Sequence, residues 1–259
     1  MAPPRVALVI PAWNEAASIG AVLAEIPPGI AEWTFVVSGN SSDGTPEIAV
    51  AHGAQALPQK TPGYGAACWA GARAARAAGA EVVVFLDGDY SDPPGELLRV
   101  LAPILAGEAD LVLGCRRAAV PWHARVGNRL VLTLLHVLLG YRLADLPSLK
   151  AIKLANLDRL DMQEMTYGWT VEMIYKAVRA DLRIAEVAVT YRARLGGRSK
   201  VSGTVRGSAG AAWKLITSAV RHARWSPREA AGELPLQKSA PGLDCGEEAG
   251  AVPRASRDG

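Results

Sequence analysis

An α/β architecture, with a mostly parallel central sheet flanked by helices, follows from three features of this 259-residue sequence. Short Val/Ile/Leu runs alternate with alanine-rich helical stretches over the first 115 residues. The runs are continuously apolar, the character of strands covered on both faces. The polar, glycine-containing segments all fall where these strands give way to loops, which is where parallel sheets collect their ligands.

RVALVIP (5–11) reads as the first strand, ahead of a helix over 15–26. TFVVSG (34–39) is the second, followed by a helix over 44–52, for which Asp43 or Thr45 supplies amide acceptors and Pro46 a suitable first turn. AQAL (54–57) is the third strand. GYGAA (63–67) then opens a helix over 64–79, and its amides either face an anion or serve tight packing. EVVVFLD (81–87) is the fourth strand and DLVLGC (110–115) the fifth, with a helix over 93–106 between them that Asp92 is expected to cap. Repeated strand–helix units of this kind build parallel sheets.

Beyond Cys115 the pattern changes. Helices are expected over 122–140 and 168–181, and RIAEVAVTYRAR (183–194) reads as a strand with alternating faces. A final helix near 206–222 aligns Trp213, Ile216 and Val220 on one face. From Ser226 onward, four prolines, mixed charges and small residues show no periodicity, so a disordered tail is expected over 226–259. No repeat of fixed period appears, and the organisation is one catalytic-sized domain over 1–225 plus that tail.

Net charge is +3; the last 34 residues hold 4 basic and 6 acidic groups, which leaves the first 225 at +5. That excess suits an anionic small molecule or a membrane surface and is too weak for nucleic acid. Cys68, Cys115 and Cys245 have neither CxxC spacing nor a nearby histidine, as expected of reduced thiols in a cytosolic protein without structural zinc. The N-terminus lacks the parts of a signal peptide. LVLTLLHVLL (130–139) is the longest apolar stretch; as a helix it spans about 15 Å, half a hydrocarbon core, so it packs internally or lies in a membrane interface.

The densest chemistry is in DGDYSDPP, where Asp87 and Asp89 flank Gly88. On a regular strand such residues point to opposite faces, but a turn through glycine brings them together. Oxygen ligands of this kind suit Mg²⁺ or Mn²⁺ carrying a nucleotide diphosphate, while a solvated turn is the alternative. A phosphatase acid pair would come near the chain start, before four strand–helix units and not after them. Arg192, Arg194, Arg198, Lys200 and Arg206 lie within fifteen acid-free residues, either a solvated loop or a phosphate grip that Arg116 and Arg117 could join. His52, His123, His136 and His222 sit in separate contexts and read as surface or packing residues. Neither a Gly-x-Ser-x-Gly elbow nor a Walker lysine motif is present.

Taken together, VIPAWNEAASI, SSDGT, GYGAA, FLDGDYSDPP, GCRR, GNRL, YGWTVEM and YRARLGGRSKVSGTVRG, in this order and spacing, resemble the family 2 glycosyltransferases of the GT-A fold. The similarity runs over about residues 5–222, and more narrowly the chain looks like the bacterial dolichyl-phosphate or polyprenyl-phosphate sugar synthases. The resemblance implies a Rossmann-like nucleotide-sugar half over 5–117 and an acceptor half over 118–225. It implies that Pro11, Trp13, Glu15 and Ser38, with Asp87, Gly88 and Asp89, line the nucleotide-sugar site. Asp87, Asp89 and Ser91 are then the metal site for Mg²⁺ or Mn²⁺. Arg117, Arg194, Arg198, Ser199 and Lys200 surround the diphosphate and acceptor phosphate, and Asp89, Asp145 and Arg117 are the catalytic set.

The implied reaction is inverting transfer of a hexose from a UDP- or GDP-sugar to a polyprenyl phosphate. The place is cytoplasmic, with peripheral membrane contact at the inner face through 122–140 and the basic loop. The alternatives are a soluble hydroxyl acceptor such as a natural product, or a non-catalytic nucleotide-binding homologue. Two segments depart from the family pattern: Ser38 and Gly39 stand where an acid pair is usual, and DLPSLKAI (145–152) where a glycine-containing segment is usual.

Overall fold

A computed structural model describes residues 2–116 and 122–196, with the backbone alone described over 122–128. Seven strands form one sheet: β1 (Val6–Ala12), β2 (Trp33–Ser38), β3 (Gln55–Pro58), β4 (Val82–Phe85), β5 (Leu111–Arg116), β6 (Lys150–Lys153) and β7 (Ile184–Val189). Their order is β3-β2-β1-β4-β6-β5-β7. The β1–β2, β1–β4, β2–β3 and β5–β7 pairs are parallel, whereas β6 runs antiparallel to β4 and β5.

The helices are α1 (Ile19–Ala24), α2 (Thr45–Ala51), α3 (Tyr64–Ala78), α4 (Leu97–Leu105), α5 (Trp122–Leu139), α6 (Leu154–Arg159) and α7 (Trp169–Arg179). Period-two alternation sends the apolar runs into two cores. Leu8, Ile10 and Val84 meet Ile19 and Val22 of α1 and Leu97, Val100 and Leu101 of α4. Ala7, Val9 and Phe85 meet Ala67, Ala72 and Ala75 of α3 and Trp169 and Met173 of α7 on the other face. Each fully buried Leu, Ile or Val is worth about 1.5–3 kcal/mol, so the continuous hydrophobicity of β1 and β4 is what places them mid-sheet.

Several expectations change. DLPSLKAI contains β6, a central strand that the sequence reading leaves out, and α6 follows it directly. The stretch over 93–106 begins as a short 3₁₀ turn, Pro94–Glu96, before α4, and β7 ends at Val189, five residues before the expected 194. Asp92 makes no capping bond to the 3₁₀ turn or α4; it is buried and accepts the Ser148 hydroxyl at 2.7 Å. The first α3 amides are engaged by the chain itself: Gly65 N and Ala66 N donate to the Thr166 and Met165 carbonyls at 3.1 and 2.9 Å. A Cβ at Gly65 would overlap the Glu164 carbonyl, so tight packing is what that glycine serves.

The loop that receives α3 is itself held from below. Glu172 and Lys176, both fully buried on α7, pair at 2.7 Å. Glu172 accepts the Gln163 and Glu164 amides, and Lys176 donates to the Asp161 carbonyl. No helix among the described residues is long and apolar enough to cross a membrane. The expected helix over 206–222, the 226–259 tail and Cys245 lie outside the described residues.

Candidate active site

The loops after β1 and β2 are stitched together at the carboxyl edge of the sheet. The Asn14, Glu15 and Ala16 amides donate to Ser41 Oγ, Thr45 Oγ1 and Asp43 Oδ2, each at 2.9 Å. Asn14 returns the contact by accepting the Ser42 amide, and Ser38 Oγ donates to Ser41 Oγ at 2.8 Å. Asp43 therefore ties the α2 start to the first loop, accepting the Thr45 amide as well. Gly44 is the residue at the helix cap. Pro11 is the penultimate residue of β1 beside this seam, and Trp13 stands out of it, 52 % exposed.

Asp87, Gly88 and Asp89 follow β4, the strand beside β1. Ser18 Oγ donates to the Gly88 carbonyl at 2.8 Å, which fixes this turn against α1. Tyr90 takes a left-handed backbone (φ +71°) and its hydroxyl donates to Glu25, which also pairs with Arg192 at 2.7 Å. The Arg192 guanidinium lies 4.9 Å from the Tyr90 ring. Asp89 Oδ1 accepts the Ser91 amide at 2.9 Å. Its Oδ2 meets Arg194 Nη2 at 2.6 Å, and the same nitrogen lies 3.5 Å from Glu15 Oε1.

Arg194 thus brings the segment after β7 to the acids after β1 and β4. Asp87 Oδ1 is buried with no hydrogen-bond partner. Burial, reinforced by the neighbouring Asp89 and Asp92 carboxylates and opposed by Lys150, pushes the Asp87 carboxyl up to about 7.

At the end of β5, Arg116 grips Asp145 with Nε and Nη2, at 2.6 and 2.7 Å. Asp145 also accepts the Arg116 and Leu146 amides, and the guanidinium lies 5.4 Å from the Tyr191 ring. Both carboxylate oxygens of Asp145 are thus engaged by the Arg116 guanidinium. Glu15, Asp87, Asp89, Ser91, Arg194 and Asp145 therefore share one edge of the sheet; Arg117, Arg198, Ser199 and Lys200 lie outside the described residues.

The Glycosyl transferase family 2 model matches residues 7–121. An uncharacterized glycosyltransferase of Mycobacterium tuberculosis is 37 % identical over 224 residues, covering 84 % of this chain and all of the relative. The chain belongs to glycosyl transferase family 2. An undecaprenyl-phosphate mannosyltransferase of Micrococcus luteus is 32 % identical over 79 % of this chain and 90 % of its own length. Among solved structures, M. tuberculosis glucosyl-3-phosphoglycerate synthase with Mn²⁺, uridine diphosphate and glucosyl-3-phosphoglycerate superposes with a TM-score of 0.70. It is 26 % identical, and the match covers 89 % of this chain and 83 % of that one. The fold is GT-A and the protein is a glycosyltransferase.

Beneath the acids of this transferase lies a group that the sequence reading does not single out. Lys150, the first residue of β6, is fully buried and donates to the Ser148 carbonyl at 2.9 Å, with the Tyr64 and Phe85 rings each 5.7 Å away. Burial lowers its pKa, with Cys68 and Asp87 opposing. Asp92 Oδ1 and the Tyr64 hydroxyl are buried here without partners. The only sequence signal was a lysine inside the apolar run LKAI, and the antiparallel β6 had to be recognised before it could be used.

Among the described residues no three His, Cys, Asp or Glu side chains are arranged to hold a metal by themselves. The acids nevertheless fit a Mg²⁺ or Mn²⁺ ion that completes its shell with substrate phosphates, because Asp87 Oδ1 is an unspent oxygen in a crowded anionic pocket.

Proposed function

We propose that this transferase moves a hexose from a UDP- or GDP-sugar to a polyprenyl phosphate, with inversion and with Mg²⁺ or Mn²⁺ held by Asp87 and Asp89. The observation that carries the reading is Arg194, which spans Asp89 and Glu15 from the segment after β7. A cation from one half of the molecule placed among acids of the other half suits a centre where two phosphate-bearing substrates meet.

Pro11, Trp13, Glu15 and Ser38 supply the nucleoside side of the site, with Gly88 leaving backbone room between the acids. The metal, when bound, neutralises charge developing on the departing nucleoside diphosphate. Arg194 is released from Asp89 to the phosphates, and Arg117, Arg198, Ser199 and Lys200 extend the same grip. Ser91 supports Asp89 through its amide and stands close enough in sequence to complete the metal shell. An acceptor phosphate is already ionised near neutral pH, so no strong base is needed, consistent with an Asp145 committed to Arg116.

The lipid acceptor is supported by the mannosyltransferase of M. luteus, and by Leu130 and Val137 of α5, which are 58 % and 74 % exposed and provide apolar surface for a membrane interface. A cytoplasmic enzyme with peripheral contact at the inner membrane face follows from that acceptor. The second reading is a soluble phosphorylated acceptor carrying a hydroxyl, favoured by the fold shared with glucosyl-3-phosphoglycerate synthase. Radiolabelled UDP-glucose and GDP-mannose, supplied with polyprenyl phosphate and Mn²⁺, decide between them. A lipid-extractable labelled product is expected with one donor. Label only in water-soluble product from cell extract would replace the lipid reading with the soluble one.

A further inference from the structure

Gln59 leaves β3 with its backbone amide on the Ser38 carbonyl at 3.0 Å. Its side-chain Nε2 donates to the Thr61 and Gly63 carbonyls, both at 2.6 Å. A primary amide has two hydrogens, and both are used. The assignment of nitrogen and oxygen is thereby fixed, since two carbonyls cannot both face Oε1. Oε1 is turned instead toward the end of β2, where no described residue donates to it. It occupies the space above Gly39, and a Cβ there would overlap it. Gly39 is not among the positive-φ glycines, so its backbone does not require glycine; the missing side chain is a matter of room.

The strand order tells what this acceptor can meet. Asp87 and Asp89 follow β4, and the neighbours are β1, then β2, then β3. Strands lie about 4.8 Å apart, which puts Gly39 about 10 Å and Gln59 about 14 Å along the sheet edge from the acids. The Gly39 amide, bonded to the Ala12 carbonyl at 3.2 Å, keeps the intervening loops abreast, and half-exposed Trp13 stands between. A nucleoside diphosphate held by its phosphates at Asp87 and Asp89 extends its base in this direction.

Resting on the nucleotide-sugar reading above, we propose that Gln59 selects the base: its Oε1 accepts a ring N–H, and Gly39 is kept small to admit it. Uracil and guanine carry such a hydrogen. Cytosine and adenine present a ring lone pair at the corresponding point and are repelled by an acceptor whose flip is blocked. Gln59 is therefore a specificity residue that admits lactam bases and rejects amino-type ones.

Titration calorimetry on the full chain with Mn²⁺ tests this, using UDP, GDP, CDP, ADP and pyrophosphate. The unmodified chain is expected to bind UDP or GDP at least about tenfold tighter than CDP and ADP, the worth of one hydrogen bond gained or opposed. Gln59→Leu should weaken the preferred nucleotide by about tenfold, leave pyrophosphate within about twofold, and leave CDP and ADP bound as tightly as before or more tightly as the repulsion is relieved. Gly39→Ala, which retains Gln59 but displaces Oε1, should show the same selective loss. An equal loss for all five ligands would assign Gln59 to loop support alone and overturn the inference, as would unchanged base preference in both variants. An unmodified chain that binds none of the five would instead remove the donor reading on which the inference rests.

Discussion

The two sides of the sheet are held by different chemistry. On the β1–β4 side, loops close on each other through amides and small side chains, as Asn14 with Ser41 and Ser42, Glu15 with Thr45, and Ala16 with Asp43. On the β5–β7 side, ion pairs dominate: Arg116 with Asp145, Asp110 with Lys153 and Arg183, and Glu172 with Lys176. Arginines after β7 join the two, Arg192 to Glu25 and Arg194 to Asp89 and Glu15. One side is knit mainly by backbone amides donating to side chains, while the other is held by charge pairs, of which Arg116 with Asp145 stands at the ligand edge and Asp110 with Lys153 and Arg183 at the opposite one.

The largest way to break this contrast is Lys176→Met. It strands Glu172 in a dry interior and should cost about 3–5 kcal/mol, read by urea unfolding. The damage should cross to the β1–β4 side, because the 161–166 loop that this pair supports receives the first amides of α3. Loss confined to α7, seen as unchanged hydrogen exchange at Gly65 and Ala66, would show the sides to be independent.

Asp89→Ala comes next. Removing the acid that Arg194 and the proposed metal share should lower kcat by at least about a hundredfold, near 2.7 kcal/mol, with the fold retained by circular dichroism. Retained turnover would move the metal elsewhere.

Asp145→Asn sharpens the comparison further. It weakens the grip on Arg116 and should cost roughly 1.5–3 kcal/mol of stability, and raise the acceptor KM while leaving the donor KM unchanged. A hundredfold fall in kcat with both KM values intact would instead make Asp145 the general base.

The smallest effect is a pH dependence. Burial pushes Asp110 up, but hydrogen bonds from Arg183 and Lys153 outweigh it and hold the carboxyl well below the usual range. A group depressed in the folded state adds stability above its unfolded pKa of about 4, and that stability fades as pH falls toward the folded value. Asp110→Asn should therefore lower Tm at pH 7 by a few degrees, and the gap with the unmodified chain should narrow progressively as pH falls below about 4. A gap independent of pH would mean that packing, and not charge, is what Asp110 supplies.

What could be read from sequence divides along the same line. β1, β2, β4 and β5 are legible because each is a continuous apolar run that both cores need, and the acids after β4 announce themselves by position. β6 was not legible: four residues with lysine at both ends, just after a proline, carry neither period, and only its two neighbours make Lys150–Lys153 a strand. Asp92 looked like a cap because it precedes prolines, yet its role is set by Ser148, 56 residues away. Gly65 looked ready for an anion because a helix start offers free amides, and a loop a hundred residues on had already taken them. Local rules read local bonds well, and partners distant along the chain decide the remainder.

The placement of β6 also governs how the chain can be made. A ribosome that has released residues 1–116 has completed β4 and β5, but not the strand that lies between them in the finished sheet. Until residue 153 emerges, β4 presents a bare row of peptide groups made from Val82 to Phe85, among the most apolar segments of the molecule. The nascent protein therefore passes through a stage with a sticky open edge, and a fragment cut at residue 116 would remain in it permanently.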